Sequence, residues 1–242
     1  MNNYSTTHLF EFWEYIGLKG RFFTNETSLK YTDPNVRTWP SKVFGIDRNN
    51  IDFKELHLRM KNGDLPNSLG LIEDNWTENQ LRLHNFKKTS VVKGMYFKLP
   101  QKQKPTDNFQ TIHAVNSTPK AHEFAKIASQ SFGYTIDPKT IIALLNCTTK
   151  IRLYLGSHKG TFANCGIVFL DKKKLSGIHM IGTIPEKRGL GLGRIMTQKL
   201  IYEAYNNQSD MVFLVASKAG ERIYSKMGFI TDGTLHSYAI NE

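Results

Sequence analysis

TIPEKRGLGLGRIM, residues 183 to 196, runs from an apolar segment through Pro185 into a turn with Gly189, Gly191 and Gly193, then straight into a helix striped by Leu192, Ile195, Met196, Leu200 and Ala204. Strand, glycine turn and helix together make an anion site. The glycines permit unusual φ/ψ and admit a ligand with no Cβ in the way, so several N–H groups can converge on one phosphate. The helix N-terminus adds a partial positive charge, and Arg188 and Arg194 add full ones. A diphosphate suits this better than a neutral ligand. The spacing excludes two familiar phosphate loops: a GxGxxG fingerprint needs glycine where Arg194 stands, and a Walker A loop needs GK followed by Ser or Thr. A turn that merely eases packing is the competing reading of the same glycines.

Working outward, apolar residues at helical spacing predict a helix over 119–132, and PKTIIALLN predicts a second over 138–146. Strands are expected at 151–156, 163–170 and 177–184, rich in Ile, Val, Leu and Tyr. MVFLVA, 211–216, is wholly apolar, as a strand covered on both faces requires. Ser217 can cap a following helix that Gly228 ends. Two helices, three strands, then helix, strand, helix, strand is an α/β order with a mixed sheet.

The segment 99–110, LPQKQKPTDNFQ, lacks periodicity and reads as a linker dividing the chain into 1–104 and 105–242. In the first part a strand and turn are expected over 37–47, a helix over 51–63, and helix, turn and strand over 78–99. Trp13, Tyr15, Trp39, Phe44 and Trp76 are read as core aromatics or as the lining of a cleft. The 242 residues carry 32 Lys and Arg against 21 Asp and Glu, a net charge of +11, which suggests an anionic partner. That charge divides evenly, with 16 basic and 11 acidic residues in 1–104 and 16 and 10 in 105–242. The even spread, with no cluster of aromatic and basic residues, argues against nucleic acid. No run approaches the ~20 apolar residues of a membrane span. Glu11 and Glu14 interrupt what a signal peptide would keep apolar, so a cytoplasmic protein is expected. Cys147 and Cys165 lie in no metal-ligand spacing, so neither a disulfide scaffold nor a metal site is expected.

The run Arg188-x-x-Gly191-x-Gly193 after Ile184-Pro185, followed by Tyr224-Ser-Lys-Met-Gly228-Phe229, resembles the acetyl-CoA-binding core of the GNAT N-acetyltransferases. The resemblance covers about 105–242 and is sharpest over 177–230. It implies a mixed, mostly antiparallel twisted sheet flanked by helices, with acetyl-CoA as cosubstrate and no metal. The first part resembles, faintly, the degenerate half of tandem family members, with Asn85-Phe86 where the second has Gly228-Phe229; an unrelated α+β cap is the alternative. The acceptor implied is a small amine or a protein amino group, with a homodimer possible. The competing function is a non-catalytic module that binds or senses CoA.

By resemblance, Arg188, Gly189, Leu190, Gly191, Leu192, Gly193 and Arg194 meet the pyrophosphate, while the backbone of Gly182, Thr183 and Ile184 runs along the pantetheine and acetyl group. Tyr224 would protonate the departing sulfur, and a backbone N–H near Thr183 or Ile184 would meet the oxyanion. His179 lies near the place where some members carry a Glu as base, although a strand histidine with a satisfied hydrogen bond is the reading the residue itself favours. Ser217 and Gly220 stand where many members have Asn and Ala; Ser217 could reach the pantetheine or serve only as a helix cap.

Overall fold

The computed structural model describes residues 3–34, 37–100 and 109–240. The chain begins with α1 (Tyr4–Gly20), β1 (Phe23–Asn25), β2 (Lys30–Thr32), β3 (Lys42–Phe44), α2 (Phe53–Asn62), β4 (Leu69–Ile72), α3 (Asn75–Leu83) and β5 (Phe86–Lys98). It continues with β6 (Ile112–Ala114), α4 (Thr118–Phe132), α5 (Pro138–Ile142), β7 (Ile151–His158), β8 (Thr161–Leu170) and β9 (Ser176–Thr183). After a 3₁₀ turn at Pro185–Lys187 come α6 (Leu192–Asn206), β10 (Met211–Ala216), α7 (Lys218–Lys226) and β11 (Ile230–Ile240). The class is α/β, with mixed, mostly antiparallel sheet flanked by helices.

Two compact units result, one from residues 1–95, 215–222 and 231–242 and the other from 96–214 and 223–230. The boundary expected after residue 104, and the centre of the expected linker at 101–108, lie outside the described residues. The last strand joins the first unit because β11 pairs antiparallel with β4, from Leu235↔Ile72 to Tyr238↔Leu69. In this unit the strands run in the order β1-β2-β3-β4-β11-β5. Leu56, Leu65, Leu69 and Leu81 lie at 1% exposure or less in the core beneath them. Of the expected aromatics, Trp13 and Phe44 are buried and meet edge-on at 5.5 Å, whereas Trp76 is exposed under the Arg48 guanidinium. The strand expected over 37–47 shrinks to Lys42–Phe44, since Pro40 has no N–H to give to a ladder and confines the paired run to the residues after it. Asn85 and Gly228, which the sequence aligned, both take positive φ, +62° and +93°.

In the second unit the order is β10-β9-β8-β7-β6, with β6 through β9 antiparallel and β10 parallel to β9. Helices α4 and α6 occupy opposite faces of this sheet. A Cβ on Gly166 would meet Met196 and Leu200 of α6, whereas one on Gly182 would meet Ser131 and Phe132 at the end of α4, and Gly182 pairs with Cys165, the neighbour of Gly166. Residues 143–146, expected to continue the second helix, tighten into turns: Leu144 and Leu145 N–H bond three residues back, to Ile141 and Ile142.

Helix α6 is pinned to the sheet by charge as well as packing. Glu203, 6% exposed, accepts from Arg152 of β7 and from Lys199 one turn back, and Lys199 also lies 5.0–5.4 Å from the Tyr154, Tyr202 and Phe109 rings. Removing the shared carboxylate strands two partly buried cations. Glu203→Ala is therefore expected to lower the unfolding free energy by about 3 kcal/mol, read from urea denaturation; an unchanged midpoint would show that the network adds nothing.

Candidate functional site

Strand β10 pairs with β9 only at Val212↔Ser176 and Phe213↔Gly177, although β9 continues to Thr183. The cause lies on the other edge of β9. His179 stands opposite Ile167 and Gly182 opposite Cys165, so β9 uses three residues where β8 uses two. The extra residue is a bulge: Met180 takes φ +52°, and its carbonyl accepts the Cys165 thiol at 3.4 Å. A bulge bends its strand and increases local twist, which carries the second half of β9 away from β10. A gap opens along residues 178–183.

At the end of that gap the backbone amides divide by direction. Ile184 N–H donates to Ala163 O at 3.0 Å, so of the two amides the sequence put forward, this one is already taken by the sheet. Amides alternate sides along a strand, and the Thr183 N–H therefore points away from β8, into the gap. Gly182 is glycine for a packing reason: a Cβ there would lie 2.6 Å from Ser131 Cβ.

The turn that follows is open on its outer side. Gly189 and Gly191 take φ +80° and +76°, and a Cβ on either would meet nothing within 4 Å. Gly191 caps α6 without any side-chain bond, and the first turn of α6 carries no acidic residue. The N–H groups that begin this 15-residue helix thus face outward beside the exposed Arg194, with Leu190 exposed, Leu192 buried and Gly193 next to Thr183. Arg188 is differently employed. Its Nε donates to Thr183 O at 3.2 Å and its Nη2 to Ser131 O at 2.8 Å, tying the end of α4 to the end of β9.

Tyr224, on α7, is half-buried and meets the Phe229 ring edge-on at 5.8 Å; burial pushes its pKa up to about 12. His179, 7% exposed, lies on the α4 face of β9, because its partner Ile167 and Gly182's partner Cys165 share that side of β8. The structure brings Gly182 through Arg194, Tyr224 and His179 into one unit; Ser217 and Gly220 belong to the other. There Ser217 Oγ accepts from Gly220 N–H at 3.3 Å, which is the cap reading.

Asn164 escaped the sequence. It is 2% exposed on β8 and donates from Nδ2 to Leu192 O at 2.8 Å, fixing the first turn of α6 against the sheet. Gly156 is its signal: a Cβ there would strike Asn164 Oδ1 at 1.9 Å, so the neighbouring strand must yield the space. Among the described residues, no cluster of His, Cys, Asp and Glu is placed to hold a metal, and no helix is long and apolar enough to cross a membrane.

No protein-family model and no curated protein matches the sequence. Solved structures do match. A GCN5-related N-acetyltransferase from Kribbella flavida aligns over 100% of this chain and 97% of its own with a TM-score of 0.72 at 15% identity. One from Sphaerobacter thermophilus aligns over 89% and 78% with a TM-score of 0.57 at 16% identity. A GCN5-related N-acetyltransferase-like protein from Streptococcus suis aligns over 88% and 83%, with a TM-score of 0.56 at 13% identity. At such identities the likeness is one of fold. The close seat of α4 on β9 is open to direct test: Gly182→Val must drive Ser131 and Phe132 off the strand, and a loss of about 1–3 kcal/mol in urea unfolding is expected. Full stability in that variant would contradict the contact.

Proposed function

We propose that this chain, which has the GCN5-related N-acetyltransferase fold, is an acetyl-CoA-dependent N-acetyltransferase acting on an amine. The observation that carries the reading is the bulged strand β9, which leaves its parallel neighbour after Gly177 and ends at two open glycines of positive φ and an uncapped helix N-terminus. A thioester carried on a diphosphate-bearing arm would supply the activated acyl group. The turn amides from Gly189 to Gly193, with Arg194, are suited to hold the diphosphate, since a Cβ at either outward-facing glycine would occupy the space the ligand needs. Arg188 keeps its guanidinium on two backbone carbonyls, so its part is to position the turn.

The extended arm would add to β9 as a strand adds to an open edge, using the backbone groups that β10 leaves unpaired. Thr183 N–H is the amide suited to stabilise negative charge developing on the acyl oxygen. The Tyr224 phenol, with its pKa near 12, stays protonated at every physiological pH. It is also too weak an acid to surrender its proton outright to a thiolate whose conjugate acid titrates near about 8.5. Its role is therefore a hydrogen bond from Oη to the departing sulfur. His179, deeply buried, would take the ammonium proton only through intervening water. The acceptor is a small amine or the amino group of a protein.

Calorimetry with acetyl-CoA is expected to show saturable one-site binding, weakened about tenfold or more in Gly191→Val, where a β-branched residue must enter the left-handed region. Absence of binding to the wild-type chain would sink the reading. Turnover over an amine panel is expected to fall about 100-fold in Tyr224→Phe with acetyl-CoA affinity unchanged. In the wild type, no alkaline loss of rate below about pH 10 should arise from this phenol. Tight acetyl-CoA binding with no acceptor turned over would favour a CoA-sensing module instead.

A further inference from the structure

The first unit holds a polar cavity of about 390 Å³, lined by Asn75, Glu78, Asn79, Arg82, Phe86, Lys88 and Tyr238. Its construction is unusual for a helix lying on a sheet. Asn75, Glu78, Asn79 and Arg82 recur at i, i+3, i+4 and i+7, so α3 turns a continuous polar stripe toward the cavity while Thr77 and Leu81, on another side, are buried. The opposite wall is Phe86 and Lys88, two apart on β5 and hence on one face, together with Tyr238 of β11.

The single carboxylate is already committed. Glu78 Oε2 accepts from Lys88 Nζ at 2.7 Å, and its Oε1 lies 2.7 Å from His236 Nδ1. Burial opposes its charge, and these partners outweigh burial, holding the carboxyl below the usual range. It offers nothing to a cationic ligand. The donors are in surplus. Arg82 gives one N–H to Asn79 Oδ1, at 2.8 Å, which leaves the rest of its guanidinium and the Asn79 amide NH₂ available. Lys88 hangs 5.6 Å from the Tyr238 ring centroid with N–H groups to spare. Two cations face one neutralised carboxylate over a floor of two aromatic rings, and the volume falls at the small end of ligand pockets.

We propose that this cavity binds a small organic monocarboxylate, its head on Arg82 and Asn79 and its apolar body against Phe86 and the Tyr238 ring. A carboxylate matches the planar fork of a guanidinium, and the one unmatched positive charge calls for a single negative one. This site is independent of the acyl-transfer reading and lies in the other unit.

The test is a titration of the full-length chain with benzoate, and separately with hexanoate, in low salt, followed by ¹H–¹⁵N NMR. Saturable shifts are expected at the Asn75 and Asn79 side-chain amides and the backbone of 78–88, with an apparent Kd on the order of 1 mM for at least one acid. Arg82 is exposed, so Arg82→Gln should fold normally and weaken binding about tenfold or more, with Arg82→Lys between the two. Benzamide, the neutral shape of benzoate, should bind as weakly as benzoate does to Arg82→Gln. The proposal is overturned if neither acid gives saturable shifts in this region, or if Arg82→Gln or benzamide matches the wild-type affinity for benzoate.

Discussion

Strand β9 is held along its second half by one neighbour instead of two, and the site geometry follows from that constraint. A single extra residue at Met180 shifts the register against β8, and the pairing with β10 stops at Gly177. The cost is a set of ladder hydrogen bonds forgone in the interior of a sheet. The return is a length of unpaired backbone with fixed direction, a polar surface that no side-chain substitution can remove. Extended ligands with amides of their own meet such an edge as another strand would.

An edge of this kind is useful only if it does not relax, and several separated contacts keep it in place. Arg188 ties Thr183 to Ser131, Asn164 ties Leu192 to β8, and Glu203 gathers Arg152 and Lys199. These bonds link α4, α6 and three strands to the region where β9 ends. The turn glycines are thus carried between hydrogen-bonded supports that set the direction of their amides. Preorganised dipoles of this sort lose little on reorganisation when charge appears opposite them.

The elements with strong local signals were legible in the sequence. The apolar stripe of α6, the Ile-, Val-, Leu- and Tyr-rich strands β7 to β9 and the apolar run of β10 depend on composition or periodicity within one segment, and each lies within a residue or two of its expected bounds. Features that depend on distant partners were not legible. Nothing near Gly182 announces Ser131, fifty-one positions earlier, and Asn164 has no periodic reason to be buried. The polar stripe of α3 was there to be read, since 75, 78, 79 and 82 keep helical spacing, but a polar face is ordinarily solvated and gives no reason to look for an opposing wall. Arg188 is a different case. Its place in a glycine motif suggested a ligand, while its guanidinium is engaged by two carbonyls.

The placement of β11 bears on the order in which the molecule is made. It sits between β4 and β5, inside the sheet of the first unit, yet it is drawn from residues 230–240. Its partners on β4 leave the ribosome some 160 residues earlier, and Leu69 and Leu71 must wait that long for the strand that covers their edge. The second unit has nearly all of its strands in an unbroken stretch and needs no such delay. Synthesis therefore runs against the usual sequence in which the first-made part folds first. The earlier-made half closes last, and during elongation an open strand edge and a half-covered core are what a chaperone would meet.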